Sequence, residues 1–200
     1  MKIGIIGAGE VAIAVAQYAL ASGHEVVLSN SGASEKLARV VAQLGAGASA
    51  ATARDAARAD MVLLAVPWLK VKAAMADLPT WEGRILIDAT NPFLQITPSW
   101  IFEDLGDDTA SEVVARLAPG ARLVKAFNSL LMSNFTKPPK LGQAQRVLLV
   151  SGDDPDANKE VAHLITGFGF AVIDLGPLKT GGRLQQAGGP LAGPDLLVSA

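Results

Sequence analysis

Short continuous apolar runs alternate along this chain with longer stretches whose apolar positions recur every three or four residues. Lys2 to Ile6 is the first run and predicts a strand. Glu10 to Ala21 follows as a helix, with small Ala12 and Ala16 placed for close packing on a sheet. Glu25 to Leu28 reads as a second strand. Leu37, Val40, Val41 and Leu44 then share one helical face, and Ser34 is the expected N-cap. Gly45 to Ser49 predicts a brief third strand. Thr52 with Asp55 three residues later has the pattern of a capped helix start. Met61 to Val66 is apolar throughout, as a parallel strand covered on both faces should be. Pro67-Trp68 ends it, and Leu69 to Ala76 predicts a short helix.

The rhythm continues to the C-terminal region. Strands are expected at Arg84 to Ala89, Arg122 to Phe127, Arg146 to Val150 and Ala171 to Leu175. Thr109 and Glu112 form a capping-box pattern for a helix to Leu117. Asp154-Pro155 opens another helix, with Val161, Leu164, Ile165 and Phe168 as its apolar face. Alternation of this kind makes βαβ units with right-handed crossovers. The predicted fold is α/β: a Rossmann-type, doubly wound, mostly parallel sheet of about eight strands in a single domain. Residues 1–178 would form that domain, including a C-terminal βαβ extension. Residues 179–200 are rich in Gly and Pro and read as a tail or lid.

Composition narrows the function. Net charge is −2, so no nucleic-acid partner is implied. No apolar run is long enough to span a bilayer, and no secretion signal opens the chain. The absence of cysteine removes thiolate nucleophiles and sulfur-bound metals. A cytoplasmic, metal-free protein without membrane partners is expected.

Chemistry concentrates on one loop. Gly7-Ala8-Gly9-Glu10-Val11-Ala12 has the form G-x-G-x-x-A between a strand and a helix. Gly7 would permit the tight turn and Gly9 the close approach of a pyrophosphate. Ala12 would let the helix pack on the strand. Free N–H groups at the helix start then face the phosphate. An acid that accepts from the ribose 2′-OH of NAD is expected about 20 residues later. Ser29-Asn30-Ser31 stands there instead, with Lys36 one turn into the next helix. Donors without a carboxylate point to NADP.

Other strand ends carry Val66-Pro67, Asn91, Lys125 and Asn128. Pro67 cannot donate a hydrogen bond and suits an apolar wall beside the cofactor. Asn91 and Asn128 are candidate contacts near the ribose and nicotinamide, or plain turn residues. Lys125 is the single weak candidate for a catalytic acid, and a salt-bridged strand lysine is an equal reading. His24 and His163 are expected to be structural or exposed.

Beyond the Rossmann start, the chain resembles the NADP-dependent oxidoreductases of the deazaflavin coenzyme F420. It also resembles the cytoplasmic domain of six-transmembrane ferric reductases. The likeness lies in Lys2 to Ala12, Val66-Pro67-Trp68, Ser111-Glu112-Val113-Val114, Val124 to Asn128, and Gly152-Asp153-Asp154 with Asp174 to Leu178. The resemblance implies NADPH contacts at Ala8 to Val11, Asn30, Ser31, Val66, Pro67 and Asn91. It also implies hydride exchange between NADPH and a flavin or deazaflavin ring. The family usually has Arg where this chain has Ser31. An NADPH-dependent reductase of a small organic substrate and a non-catalytic NADP-binding sensor are the alternatives. The poverty of acid–base groups favours a ring acceptor over a carbonyl. A homodimer is expected, so that a second subunit can help enclose the substrate.

Overall fold

In the computed structural model, which describes residues 1–199, the apolar runs become strands. They are β1 (Lys2–Ile6), β2 (Glu25–Ser29), β3 (Ala48–Ala50), β4 (Met61–Leu64), β5 (Ile85–Asp88), β6 (Phe93–Gln95), β7 (Ile101–Phe102), β8 (Arg122–Lys125), β9 (Lys140–Leu141), β10 (Ala144–Gly152), β11 (Ala171–Asp174) and β12 (Leu197–Ser199). The helices are α1 (Glu10–Ala21), α2 (Ser34–Leu44), α3 (Ala53–Ala56), α4 (Val71–Met75), α5 (Ala110–Leu117), α6 (Met132–Phe135), α7 (Pro155–Gly167) and α8 (Arg183–Gln185).

The main sheet has the order β11-β10-β8-β5-β4-β1-β2-β3. From β3 to β8 every neighbouring pair is parallel, and β10 joins β8 antiparallel at Ser151 and Gly152. β10, α7 and β11 form a further βαβ unit. The chain leaves β1 toward β2 on one side and returns to β4 on the other. That reversal of strand order is where a doubly wound sheet opens a crevice.

Alternation along each strand divides the core into two layers. Ile3, Ile5, Leu28, Leu63, Ile87 and Val124 join α1 and α7 on one face. Ile6, Val62, Leu64, Leu86 and Leu123 join Trp68, Val71 and Val114 on the other. Small residues set the spacing. Ala12, Ala16 and Ala19 bring α1 onto the sheet with no exposed surface. A Cβ on Gly4 would lie 1.9 Å from the Ala56 carbonyl oxygen, so α3 rests directly on the β1 backbone. Tyr18 faces α6, where its hydroxyl donates to the carbonyls of Phe135 (2.9 Å) and Lys137 (3.1 Å).

Several elements depart from the sequence expectations. Ser34 is already helical and the capping position falls on Ala33, so the Ser34 hydroxyl cannot cap α2. The third strand lies at Ala48–Ala50 because Gly45 and Gly47 take positive φ and finish the turn. Leu69 to Ala76 is split: a tight 3₁₀ turn, Trp68–Lys70, precedes α4. The β6–β7 hairpin was not expected, because its strands are too short to show a period. Thr52, Thr109 and Asp154 do cap their helices, and Thr109 and Glu112 complete the capping box.

Residues 179–199, the Gly- and Pro-rich tail, are strapped to the domain. A wide π-type turn over Leu178–Gly182 brings Gly181 against Leu175, where a Cβ would meet the carbonyl oxygen at 2.5 Å. Gln185 of α8 is wholly buried, and β12 pairs antiparallel with β10.

Candidate functional site

A cavity of about 610 Å³ opens beyond the carboxyl ends of β1, β2 and β4. Gly7, Ala8 and Gly9 line it, and the two glycines work differently. Gly7 has φ +128°, and a Cβ there would fall 2.1 Å from the Ala65 carbonyl oxygen. Its N–H donates to the Ser29 carbonyl (2.9 Å), tying the end of β1 to the end of β2. Gly9 has ordinary φ, −86°, and no atom lies within 4 Å of where its Cβ would stand. Gly7 is therefore needed by the fold, and Gly9 keeps a space open in front of α1. The Gly9 carbonyl accepts from Ile13 N–H and starts the helix. The N–H groups of the first turn have no partner within the helix and carry the positive end of its dipole.

The turn after β2 forms the next wall through Ser29, Asn30, Ser31, Gly32 and Lys36. The expectation that Ser29 offers its hydroxyl to a ligand is corrected. Ser29 is buried, and its Oγ donates to the Ile5 carbonyl (3.2 Å). Asn30, Ser31 and Lys36 remain available to a ligand. The opposite wall holds Val66 and Pro67, then Lys70, Ala73, Ala74, Asp77 and Leu78.

Six other sequence candidates do not reach the cavity wall. Glu10 is exposed, Val11 is half-buried, and Ala12 is enclosed under α1. Asn91 and Asn128 are joined to each other: Asn128 Nδ2 donates to Asn91 Oδ1 (3.0 Å), and Asn91 Nδ2 to the Asn128 carbonyl (2.9 Å). The tail takes their remaining valences. Ala187 N–H donates to Asn91 Oδ1 (2.9 Å), and Gln185 Nε2 donates to Asn128 Oδ1 (2.9 Å).

Lys125 is fully buried. Its Nζ donates to the Thr90 carbonyl (3.0 Å) and Ser111 Oγ (3.1 Å), with Asp88 Oδ2 at 3.5 Å. Burial pushes its ammonium below the usual lysine range, and the Asp88 carboxylate opposes that shift. The salt-bridged reading of this residue fits, and the side chain does not line the cavity. His24 sits edge-on to Phe168 at the turn before β2, and His163 is exposed on α7. No cluster of three potential metal ligands occurs among the described residues. No described helix is long and apolar enough to cross a membrane.

Residues 2–92 match the family model for NADP oxidoreductase, coenzyme F420-dependent. That span contains every residue of the cavity wall. A hypothetical protein from Sinorhizobium meliloti is 38% identical over 100% of this chain and 96% of its own, with a TM-score of 0.92. A protein from Arthrobacter sp. FB24, assigned as an F420-dependent NADP-reductase, is 27% identical over 89% of this chain and 86% of its own, with a TM-score of 0.77. Residues 2–92 thus relate the N-terminal part of the chain to the NADP oxidoreductases. The metalloreductase STEAP3 of Rattus norvegicus is 26% identical over 192 residues, which are 92% of this chain. Those residues are 36% of STEAP3, so the chain spans about a third of that curated relative.

Three charged cavity residues, Arg54, Lys70 and Asp77, were missed by the sequence reading. Sheet order is the signal that would have found Arg54. β3 lies beside β2 in parallel register, Leu28 opposite Ala50, so the residues after Ala50 flank the Asn30–Ser31 turn. Near the tail, a second cavity of about 460 Å³ is lined by Pro92, Phe102, Glu103, Arg183, Gln186 and Gly188, among others.

Proposed function

We propose that this chain binds NADPH in the larger cavity and serves hydride transfer between it and a second redox partner, a flavin or deazaflavin ring. One observation carries the reading. Gly9 keeps an open space before the first turn of α1, on a cavity whose β2 turn bears no carboxylate. Ala8, Gly9 and the α1 N–H groups would hold the pyrophosphate. Asn30, Ser31 and Lys36 would take the 2′-phosphate, and Val66 and Pro67 would border the rest of the dinucleotide. Bound there, the dinucleotide supplies a two-electron hydride.

The protein's part in that chemistry is positioning and exclusion of water. Reduction of a carbonyl also needs a placed proton donor. Lys125 is sealed within the sheet, and neither histidine lines the cavity.

Titration of nucleotide binding tests the assignment. NADPH is expected to bind more tightly than NADH. Ser31→Asp should weaken NADPH at least tenfold with little effect on NADH. A carboxylate 4 Å from a phosphate charge costs ~4 kcal/mol per charge pair at an effective dielectric of 20. Equal wild-type affinities at moderate salt would remove the NADP reading.

A further inference from the structure

We propose that Arg54 is the specificity-determining cation that reads the 2′-phosphate of the bound dinucleotide. The proposal rests on the NADPH reading of the cavity and adds a residue from outside the β2 turn. That turn is poor in charge: Asn30, Ser31 and Gly32 are neutral, and Lys36 is the only cation that the β2–α2 segment gives to the wall. A phosphate monoester is close to a dianion at neutral pH and is best met by a planar, bidentate guanidinium.

Arg54 is the arginine that lines this cavity. Neighbouring strands lie roughly 4.8 Å apart, and the Leu28–Ala50 register makes the exits of β2 and β3 adjacent. Ala51 N–H still donates to the Leu28 carbonyl (2.9 Å), so the two exits stay together past the sheet. Arg54 follows three residues later.

Its platform is fixed at both ends. Thr52 caps α3 by accepting from Asp55 N–H (3.1 Å). At the other end, Ala56 sits so closely on Gly4 that α3 has no room to move toward the sheet. One guanidinium nitrogen, Nη1, donates to the Asp77 carbonyl across the cavity wall (3.2 Å). That bond holds the side chain along the wall, and Arg54 is an exposed residue that lines the cavity. The nearby Asp55 carboxylate does not compete, because Thr52 Oγ1 donates to it (2.7 Å) and Arg58 lies 3.7 Å away.

Calorimetric or fluorescence titration of the full chain decides the matter, with NADPH and NADH as probes. Arg54→Gln is expected to raise the NADPH Kd at least tenfold and to leave the NADH Kd within twofold. Arg54→Lys should recover part of the loss by restoring charge without the fork. Two results overturn the assignment: an NADPH Kd within twofold of wild type, or an equal loss for both nucleotides. The latter would make Arg54 an adenine or scaffold contact. Circular dichroism melting of both variants separates misfolding from lost recognition, since a soluble Arg54→Lys protein with native melting still reports on the charge. If wild-type protein binds neither nucleotide, the reading of the whole cavity fails and Arg54 falls with it. Wild-type discrimination that survives Arg54→Gln refutes Arg54 alone.

Discussion

The two halves of the sheet's carboxyl edge treat polar groups in opposite ways. Over β1, β2 and β4, Gly9 faces empty space, and Asn30, Ser31, Lys36, Arg54 and Lys70 surround a cavity. Over β5, β8 and β10, polar residues are just as plentiful but face one another. Asp88 receives the Ser111 hydroxyl (2.6 Å) and the Thr90 hydroxyl (2.7 Å). Gln185 accepts from Ser151 (2.8 Å) and donates to Asn128 (2.9 Å). A buried polar group costs free energy unless paired, so the second half resembles a polar core. The first half keeps its donors for something else. Residue type alone does not distinguish these halves; the state of each group's hydrogen bonds does.

The largest test of this contrast is Lys125→Met. It leaves the Asp88 carboxylate buried without its cation, which should cost ~3–5 kcal/mol of stability. Urea unfolding should show the loss, while NADPH affinity of the folded protein changes less than threefold. Adding Asp88→Asn should restore part of the stability. A stable Lys125→Met protein with collapsed turnover would instead make Lys125 catalytic and erase the boundary between the halves.

Next comes a contrast inside the glycine loop. Gly9→Val should leave thermal melting within a few degrees of wild type, because its side chain meets no protein atom. NADPH binding should weaken at least 100-fold, ~2.7 kcal/mol. Gly7→Val should fail to fold, since its φ and the Ala65 carbonyl both exclude a side chain. Retained affinity in Gly9→Val would place the pyrophosphate elsewhere.

These two tests also mark what the chain made legible. The strand–loop–helix at residues 2–21, the mostly parallel pairing and three of the helix caps could be read directly, because each depends on local pattern. Gly7, Gly9, Asn30, Ser31, Lys36, Val66 and Pro67 do meet at one cavity. Their convergence follows from strand ends, which periodicity locates well. Asn91 and Asn128 were legible as strand-end polar residues, but their pairing depends on Gln185 and Ala187, far away in the chain. Glycine and proline in the tail suggested irregular backbone and could not reveal a buried glutamine. Arg54 was missed for a similar reason: only the β2–β3 register brings it beside the turn.

The finest test compares two serines two residues apart. Ser29 and Ser31 read alike in the sequence, as donors on the turn after the second strand. In the fold, Ser29 is buried and spends its proton on the Ile5 carbonyl, whereas Ser31 is exposed on the cavity wall. Ser29→Ala should therefore cost ~1 kcal/mol of stability, the net worth of one hydrogen bond, and leave the NADPH Kd unchanged. Ser31→Ala should leave stability unchanged and raise the NADPH Kd about fivefold, ~1 kcal/mol. Denaturant titration and nucleotide titration on both variants give four numbers, and the expected pattern is crossed. If Ser29→Ala weakens NADPH without loss of stability, the turn's hydroxyls are not divided between fold and ligand. The cavity half would then extend deeper into the sheet than its walls suggest.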